Sequence, residues 1–404
     1  MNILLLNHYA GSPEMGMEFR PYYFAREWVK MGHSVKIVAG DFSHLRTKQP
    51  EVKRDFQKEI IDGIEYRWVK TGNYKGNGIQ RALSMFRFVG KLFIHSSKIA
   101  KVWKPDIVIA SSTYPLDTYP AQRIAKKAKA KLIHEVHDMW PITPIEIGGM
   151  SKYHPFVMIL QLAENSFCKH SDYVVSLLPN AKAYLKRHGM AENNFVFISN
   201  GVVLSEWENK EELPDKTRLL IEQIKTKYKF VLCFFGSHTK SYALEYIIEA
   251  IRYFDNTKVG LVLVGDGIDK QNLIKQSENI KNIYFFDPIP KKCIPTFLEN
   301  VDGIYIGALN NKMFRFGIAM NKLFDSMMSG KPILYAVNAP NNYIKKYKCG
   351  ISVEAESVEA LRKGIEVLIN KTEEERMKLG NNGREAVLKY YNYKVLAKEF
   401  EKIF

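Results

Sequence analysis

The strongest constraint on the fold is a repeated alternation of short apolar runs with amphipathic helical patterns. An apolar run at residues 3–7 is followed by a helical pattern at residues 18–31, and a second apolar run follows at residues 35–39. The same order returns at residues 106–110, 121–130 and 131–136. Apolar strands that alternate with helices are typical of a parallel sheet with right-handed crossover connections. The pattern therefore predicts the α/β fold class.

A second series of strands begins after the turn Ser199-Asn200-Gly201-Val202, which a polar connection at residues 206–217 follows. We expect a helix at residues 242–254 and strands at residues 230–235, 259–264, 283–286, 303–306 and 332–336. A chain of 404 residues exceeds the usual size of one hydrophobic core. We predict two Rossmann-like domains at residues 1–200 and 201–385, with a C-terminal helix at residues 386–404 that crosses back to the first domain. Parallel sheets in such a pair face a central cleft, and ligands bind at the carboxyl ends of the strands.

The charge of the chain is strongly positive and unevenly distributed. The formal net charge is +16, and residues 1–200 contain 28 Lys and Arg against 17 Asp and Glu. Such a surplus suits a nucleic acid, an anionic membrane surface or phosphorylated substrates. Nucleic acid ranks last, because no basic stripe interleaved with aromatic residues marks a known nucleic-acid-binding module.

The sequence also indicates the compartment. The four cysteines form no CxxC pair, which fits a reducing compartment and makes a disulfide framework or zinc site improbable. The first residues contain no basic leader, and no run of eighteen apolar residues occurs. We therefore expect a cytoplasmic protein, associated peripherally with the inner face of the plasma membrane if the basic surface meets lipid.

The stretch from Phe86 to Trp103 mixes large apolar residues with Arg and Lys. One interpretation is an interfacial helix, with its apolar side in the headgroups and its lysines toward anionic lipid. The other is a crossover helix with a solvated basic side, which is common in soluble proteins. The sequence leaves both open.

The segment from Phe314 to Pro332 combines a glycine turn, a helical apolar stripe, a lysine and an acid. A helix that starts there directs its free N–H groups and positive dipole end at a ligand, which suits a diphosphate. Lys322 would add a charge, and Asp325, about one turn inside the helix, would hold ribose hydroxyls. An ordinary amphipathic helix with a solvated Lys and Asp is the alternative.

Two loops of the first half follow strands and carry polar groups. The loop from Gly11 to Glu18 opens the first helix, where Gly16 permits close backbone approach and Glu18 faces a ligand or satisfies the helix dipole. The second loop has His137 and Asp138 at the end of a strand. A neutral imidazole there donates to a sugar hydroxyl or relays a proton, unless it is a structural histidine.

Two loops of the second half likewise follow strands and carry polar groups. In the first, Gly236 allows close approach, and Ser237 and Lys240 offer groups for phosphate oxygens, although a hydrated turn is the alternative. The second is the unspecific turn Gly265-Asp266-Gly267. The chain contains no DxD pair, so a metal-bridged diphosphate is not indicated. The absence of GxxxxGK[ST] and GxSxG argues against P-loop NTPases and serine hydrolases.

In combination and order, these motifs resemble the retaining GT-B glycosyltransferases of family 4 over essentially the whole chain. The motifs are the loop at residues 11–18, the His137-Asp138 strand end, the turn at 199–202, Gly236, the turn at 265–267, the segment 321–332 and the closing residues 380–385. Within that family the chain looks most like the bacterial surface-polysaccharide enzymes of the N-acetyl-L-fucosaminyltransferase kind. This narrower match depends on residues 7–27, 137–141, 147–152, 316–318 and 321–325.

The resemblance implies a reaction. The expected reaction moves a sugar, such as an N-acetylated amino sugar, from a UDP-sugar to a lipid-linked or oligosaccharide acceptor in O-antigen, lipopolysaccharide or capsule synthesis. It would retain the anomeric configuration and need no metal or other cofactor. The partners would be a UDP-sugar, a glycan or polyprenyl-diphosphate-linked acceptor and an anionic membrane surface, with no nucleic acid.

The resemblance also implies site residues. Its active-site histidine falls on His137, with Asp138 and Glu18 as further catalytic candidates, and Glu18 and Arg20 would meet the acceptor. The second of two family glutamates falls on Asp325, whereas the first falls on Gly317, so that carboxylate is absent. The backbone N–H groups of Gly317 and Ile318 would contact the donor in its place. The full expected donor set is Gly16, Gly236, Ser237, Lys240, Gly265, Gly267, Arg315, Gly317, Ile318, Asn321, Lys322 and Asp325.

Two alternatives remain within the same architecture. The missing first glutamate keeps open a non-catalytic, GT-B-like partner that binds nucleotide or glycan in a polysaccharide assembly complex. A UDP-sugar 2-epimerase, which needs no acceptor, shares the architecture as well.

Overall fold

The computed structural model describes residues 1–16, 20–76, 78–255 and 257–404, and these residues divide into two compact units. Unit 1 comprises Met1–Ser199 together with Leu396–Phe404, and unit 2 comprises Asn200–Val395. Within the described residues no helix has the length and apolar character needed to cross a membrane.

Unit 1 is built on an eight-stranded sheet with the order β3-β4-β2-β1-β5-β6-β7-β8 among the described residues. The strands are β1 Asn2–Leu6, β2 Ser34–Gly40, β3 Gln57–Ile61, β4 Ile64–Val69, β5 Ile107–Ala110, β6 Lys131–Val136, β7 Tyr173–Ser176 and β8 Phe195–Phe197. The helices are α1 Arg20–Lys30, α2 Ile79–Trp103, α3 Thr118–Ala128, α4 Ile142–Glu146, α5 Pro155–His170 and α6 Lys182–Arg187. All pairings are parallel except that of β3 with β4.

The centre of this sheet is apolar on both sides, as expected for a strand covered by helices on each face. All four residues of β5 are buried, as are the last four of β1. In the sheet, β2 lies on one side of β1 and β5 lies on the other, so the strand order reverses between β1 and β5. Ligands of open α/β sheets bind at the carboxyl ends of strands at such a reversal.

Unit 2 repeats this plan with a parallel six-stranded sheet, in the order β11-β10-β9-β12-β13-β14 among the described residues. The strands are β9 Phe230–Phe235, β10 Val259–Val264, β11 Ile283–Phe286, β12 Gly303–Gly307, β13 Ile333–Ala336 and β14 Gly350–Ser352. The helices are α7 Leu204–Glu208, α8 Asp215–Lys227, α9 Leu244–Ile251, α10 Lys270–Ser277, α11 Ile294–Glu299, α12 Asn321–Met328, α13 Tyr343–Tyr347, α14 Val358–Asn370 and α15 Glu373–Tyr390. The strand order of unit 2 reverses between β9 and β12.

The predicted fold class, two Rossmann-like units with parallel sheets, is confirmed. Five strands were not predicted: β7, β8, β14 and, at the edge of the first sheet, the antiparallel pair of β3 and β4. Its turn at Asp62 and Gly63 has positive φ angles of 49° and 79° and thus the backbone of a hairpin. The pattern was missed because β3 is an exposed edge strand, without the apolar run that identifies a buried one.

The C-terminal boundary differs from the prediction. Position 385 lies inside α15, which continues to Tyr390, and a last helix, α16, spans Tyr393–Glu401. The break falls at Asn392, where the side-chain amide donates to the Leu388 carbonyl at 2.8 Å and thereby caps α15. In unit 1 the end of α16 contacts Trp28, whose indole N–H donates to the Ala397 carbonyl at 3.3 Å.

Candidate active site

The carboxyl ends of β1, β5 and β6 bring together a buried charged cluster in unit 1. Glu135, the fifth residue of β6, accepts from Arg20 Nε at 3.0 Å and from Ser111 Oγ at 2.6 Å. His137 Nε2 lies 3.1 Å from the second carboxylate oxygen of Glu135 and 2.9 Å from Ser111 Oγ. An ionised carboxylate only accepts, so Nε2 carries a proton toward Glu135. The imidazole of His137 is thereby held in one orientation against Glu135 and Ser111.

The electrostatics of the cluster favour an ionised Glu135. Burial alone raises the pKa of its carboxyl, but Arg20, His137 and Ser111 outweigh burial and hold that pKa well below its usual range. Glu135 is therefore a fixed negative charge behind the imidazole. Such a charge orients the ring and stabilises its protonated form.

Arg20 does not have the role predicted for it. Its side chain is 5% exposed, and beyond Glu135 it donates to the carbonyls of Ser199 at 2.6 Å and Ile198 at 3.0 Å. A guanidinium engaged in this way holds unit 1 together internally. We therefore correct Arg20 from an acceptor contact to a positioning residue.

Glu135 has a carboxylate within hydrogen-bonding distance of His137, while Asp138 lies on the other side of the strand end. Side chains alternate along a strand, so Glu135 and His137 share one side of β6 while His134, Val136 and Asp138 share the other. Asp138 and His134 line a small cavity, with room of about 10 Å³, on that opposite side. The sequence analysis missed Glu135, although its position two residues before His137 at a strand end was a sufficient signal.

His134 is a neutral core histidine. It stacks on Phe167 with ring centroids 3.8 Å apart, and burial lowers the pKa of His134 to about 3. Its Nδ1 has no hydrogen-bond partner within the described part of the chain. Because the adjoining cavity is only large enough for about one water molecule, it suits a bound water rather than a substrate.

In unit 2, three glycines let two strand-end loops touch. Gly236, after β9, has φ +130°, and Gly265, after β10, has φ +137°. A Cβ on Gly265 would lie 2.0 Å from the Gly236 carbonyl oxygen, and one on Gly267 would lie 2.2 Å from that of His238. Side chains at positions 265 and 267 are thus excluded by backbone packing, which accounts for these two glycines without any ligand.

Lys322 is the most unusual group of unit 2. Its Nζ is buried and has no hydrogen-bond partner among the described residues. The ammonium lies 3.4 Å from the centroid of the Tyr242 ring and 4.2 Å from that of Phe234, and it also lies against Gly236. Burial lowers the pKa of Lys322 to about 7. A buried amine without an acceptor costs free energy, which an anionic ligand would recover.

His238 is a second buried group of this loop that the sequence analysis did not assign. Neither ring nitrogen has a hydrogen-bond partner within the described residues, and burial lowers the pKa of His238 to about 4. The ring is therefore neutral near pH 7. Lys270 and Lys322 lower the pKa of His238 further, while Asp266 raises it.

Helix α12 begins at Asn321, one residue before Lys322, and buries Leu323, Phe324 and Met327. The first N–H groups of a helix lack intrahelical acceptors and favour anions. Asp325 lies one turn further on, where Trp207 Nε1 donates to its carboxylate at 3.4 Å. Burial raises the pKa of Asp325.

Two backbone N–H groups that were expected to contact the donor sugar nucleotide already donate hydrogen bonds within unit 2. The Gly317 N–H donates to the Phe314 carbonyl at 2.9 Å, and the Ile318 N–H donates to the Asn341 side chain at 2.8 Å. These backbone groups therefore do not replace the missing family glutamate, which corrects the prediction. Gly317 has φ +105° because it ends a 3-10 turn.

The remaining predicted residues are more peripheral. Ser237, Lys240, Arg315 and Asn321 are exposed, and Arg315 lies over the Phe316 ring at 4.4 Å while it donates to the Lys312 carbonyl. Gly16 has φ +82°, and a Cβ there would lie 2.8 Å from Thr47 Oγ1, so local packing accounts for it.

Glu18 lies outside the described residues. Within residues 1–16, 20–76, 78–255 and 257–404, no group of three or more His, Cys, Asp or Glu side chains is arranged to hold a metal ion.

Comparison with known protein families covers most of the chain. Residues 15–206 match the family described as Glycosyltransferase Family 4, and residues 215–386 match Glycosyl transferases group 1. An uncharacterized glycosyltransferase of Methanocaldococcus jannaschii is 29% identical over 245 residues, which are 58% of this chain and 59% of that protein. The chain thus aligns with about three fifths of the length of this curated relative.

Solved structures share the fold across the whole chain. Sucrose-phosphate synthase from Thermosynechococcus elongatus matches with a TM-score of 0.74 at 14% identity, over 100% of this chain and 98% of that one. The Anabaena protein HepE in complex with UDP and glucose matches with a TM-score of 0.66 at 14% identity, over 100% and 98% of the two chains. The two family matches and this shared fold show that the chain belongs to the GT-B glycosyltransferases.

Proposed function

We propose that this protein transfers a sugar from a UDP-sugar to a lipid-linked or oligosaccharide acceptor. The observation that carries the proposal is the buried ammonium of Lys322 at the start of α12, which has no hydrogen-bond partner among the described residues. A UDP-sugar brings a diphosphate, and the leaving UDP gains negative charge as the glycosidic bond breaks. Lys322 and the N-terminus of α12 would stabilise that charge in a site of low dielectric constant. HepE, a protein of the same fold, is known in complexes with UDP and with UDP-glucose, which supports this choice of donor.

The finer assignments are part of the proposal. We infer an N-acetylated amino sugar such as L-FucNAc as the transferred group, and bacterial surface-polysaccharide synthesis as the process. We also infer retention of the anomeric configuration and no metal requirement. His137 would orient the sugar, and the acceptor hydroxyl would attack from the side of the departing phosphate, which takes up its proton. The location would be cytoplasmic and peripheral, at the inner face of the plasma membrane.

A transfer assay tests the reaction directly. Purified protein with EDTA is given a UDP-N-acetylhexosamine or UDP-amino-deoxysugar and a lipid-linked N-acetylhexosamine, and mass spectrometry follows both. We expect UDP release together with an acceptor heavier by one sugar. Donor and acceptor left unchanged across a panel of UDP-sugars, also with added metal, would contradict the proposal and favour a non-catalytic binding partner. A donor isomer formed without acceptor would indicate a 2-epimerase.

His137→Ala is expected to lower the turnover by about 10²- to 10⁴-fold, the range for a group that acts on the reacting sugar or its proton. The fold should survive, because Arg20 and Ser111 still pair with Glu135. The rate of UDP release and the thermal melting temperature check both parts. His170→Ala, at an exposed histidine of α5, is the matched control and should retain full activity. Wild-type turnover in His137→Ala would remove this residue from the mechanism.

Asp325→Asn is expected to weaken UDP binding about tenfold, because an amide is a poorer acceptor for ribose hydroxyls than a carboxylate. Titration calorimetry with UDP measures the effect. Uracil alone, which lacks the ribose, should bind the two proteins equally weakly. Unaltered UDP affinity would assign Asp325 to the Trp207 contact instead.

A further inference from the structure

Helix α2 has a second apolar stripe, on the side opposite the one that packs into the core of unit 1. Its buried side contains Phe88, Leu92 and Ile99. On the opposite side, large apolar residues recur with helical spacing and stay exposed, with Ile79 at 80% and Ile94 at 76% exposure. The stripe consists of Ile79, Leu83, Phe86, Phe93 and Ile94. A surface helix needs only one apolar side for the core, so the second stripe calls for a separate explanation.

Helix α5 repeats this arrangement beside α2. Its exposed stripe is formed by Met158, Ile159 and Leu162, with Leu162 at 62% exposure. Phe86 of the α2 stripe lies near Phe156 in the first turn of α5, with ring centroids 6.4 Å apart and nearly perpendicular rings. Helix α3 contacts both α2 and α5, and we call the exposed sides of these three helices the docking face.

Exposed apolar residues are concentrated on and around this face. Of the 21 exposed large hydrophobic residues in the described part of the chain, eleven lie within residues 79–102 or 147–162. Single exposed apolar residues are ordinary, whereas a contiguous cluster indicates a binding surface. The cluster is not a general property of this chain's surface, because these two ranges are about a tenth of its length.

The docking face is strongly basic. Residues 79–104 contain six Lys and Arg and no acid, residues 118–131 contain five and no acid, and residues 147–163 contain one and no acid. From α3, Arg123 lies over the ring of Phe93 on the stripe itself, 4.7 Å from its centroid. At the flank, Asp55 pairs with Lys91 at 2.8 Å, and the exposed Glu146 directly precedes residues 147–163.

We propose that the docking face binds an anionic lipid surface. Apolar stripes flanked by Lys and Arg match the headgroup region, where side chains such as Ile94 and Leu162 enter the acyl boundary and cations meet lipid phosphates. A second copy of this chain is a poor occupant, because two acid-free basic faces repel each other. This face would hold the protein at the inner face of the plasma membrane, and its binding to lipid does not depend on the transfer reaction.

Vesicle co-sedimentation tests the proposal with the full chain and without donor or acceptor. The vesicles contain 30% phosphatidylglycerol in phosphatidylcholine, or phosphatidylcholine alone. We expect the protein to bind the anionic vesicles at least tenfold more strongly than the neutral ones, and to lose most of this binding at 0.5 M NaCl.

The double variant Ile94→Glu with Leu162→Glu should bind the anionic vesicles at least tenfold more weakly. The matched control is Ile268→Glu with Met377→Glu, which adds the same charge at exposed apolar positions of unit 2 and should lower binding by less than threefold. Circular dichroism and melting temperature check that both variants fold. All four positions are exposed, so little change is expected.

Three outcomes would overturn the inference. The first is wild-type protein that stays in the supernatant with anionic vesicles. The second is equal loss of binding in both double variants, which would indicate net charge rather than this face. The third is a wild-type dimer in velocity sedimentation that only Ile94→Glu with Leu162→Glu dissociates, with no vesicle binding, which would assign the face to a second copy of the chain. Failure of the transfer assay would leave the vesicle result unaffected.

Discussion

Replacing Lys322 by methionine is expected to weaken binding of UDP-glucose, used here as a test donor, about 100-fold near pH 6. The loss corresponds to roughly 2.7 kcal/mol, within the range for removal of one partner from a desolvated charge pair. The variant should fold at least as well as the wild type, because methionine fills similar space and removes a buried amine that has no acceptor within the described part of the chain. The weaker binding would therefore not be a consequence of unfolding.

The affinity of the wild-type protein for UDP-glucose should also depend on pH. Burial lowers the pKa of Lys322 to about 7 in the free protein, and a bound diphosphate favours the charged amine and raises this pKa. The donor therefore binds most tightly below pH 7 and loses up to tenfold in affinity for each pH unit above it. The diphosphate of UDP-glucose is esterified at both ends and keeps its charge over this range. His238, with a pKa of about 4, does not titrate there.

Calorimetric titrations with UDP-glucose between pH 6 and pH 9 measure both the loss of affinity in the variant and the pH dependence of the wild-type affinity. Lys322→Met should abolish the pH dependence along with the affinity. Lys240→Met is the matched control, because Lys240 is an exposed lysine of the neighbouring loop and should change binding by less than about threefold. A wild-type affinity that stays constant from pH 6 to pH 9, or a Lys322→Met protein that binds normally, would remove Lys322 from the donor site.

The second large effect is expected from Arg20→Met, which should destabilise unit 1 by about 3–5 kcal/mol. Removing one partner of a buried ion pair leaves the other charge uncompensated, and the carbonyls of Ile198 and Ser199 lose their donor as well. Four of the five tryptophans lie in unit 1, so urea unfolding followed by tryptophan fluorescence reports mainly on this unit. Lys30→Met, on the same helix, removes an exposed lysine from its ion pair with the buried Glu27, which keeps Arg26 as a partner at 3.5 Å, and should cost less than about 1 kcal/mol.

The destabilisation should depend on pH in a defined direction. In the wild type the pKa of Glu135 is well below its usual range, so the pair persists into strong acid. Without Arg20, burial raises the pKa of Glu135 above its value in the unfolded chain, so the folded variant binds a proton more readily. Its stability then falls as the pH rises through that range, and the deficit is larger at pH 7.5 than near pH 4.5.

A second variant tests the cause of the effect. Adding Glu135→Leu to Arg20→Met removes the orphaned charge and should recover part of the lost stability. A double variant less stable than Arg20→Met alone would contradict the assignment, and so would an Arg20→Met cost below about 1 kcal/mol.

Elements whose signal is local in sequence were predicted accurately. The strands at residues 131–136, 230–235, 259–264 and 283–286 have the bounds expected from their apolar runs. A strand covered on both faces is apolar at consecutive positions, so its own sequence shows where it lies. The edge hairpin of β3 and β4 has no such run and was missed, although its Asp-Gly turn was a usable signal.

The hydrogen-bond partners of the polar site residues were predicted least accurately. His137 and Asp138 were named as catalytic candidates from their position at a strand end, but Glu135, whose carboxylate lies 3.1 Å from His137 Nε2, was not foreseen. Gly317 and Ile318 were expected to offer free N–H groups, but Asn341 and Phe314 already accept them. Neither acceptor was foreseen, because which N–H groups are used depends on the folded loop.

The sequence by itself determined the two series of strands and helices, and with them the fold class and the family. These follow from periodicity and turn residues, which act over a few positions along the chain. Only the tertiary structure decided that Arg20 pairs with Glu135 across 115 positions, and that the ammonium of Lys322 lies buried against Tyr242 and Gly236 with no acceptor among residues 1–16, 20–76, 78–255 and 257–404. The charge state and reactivity of a side chain depend on desolvation and on neighbours brought from distant parts of the chain, and that environment exists only in the folded protein.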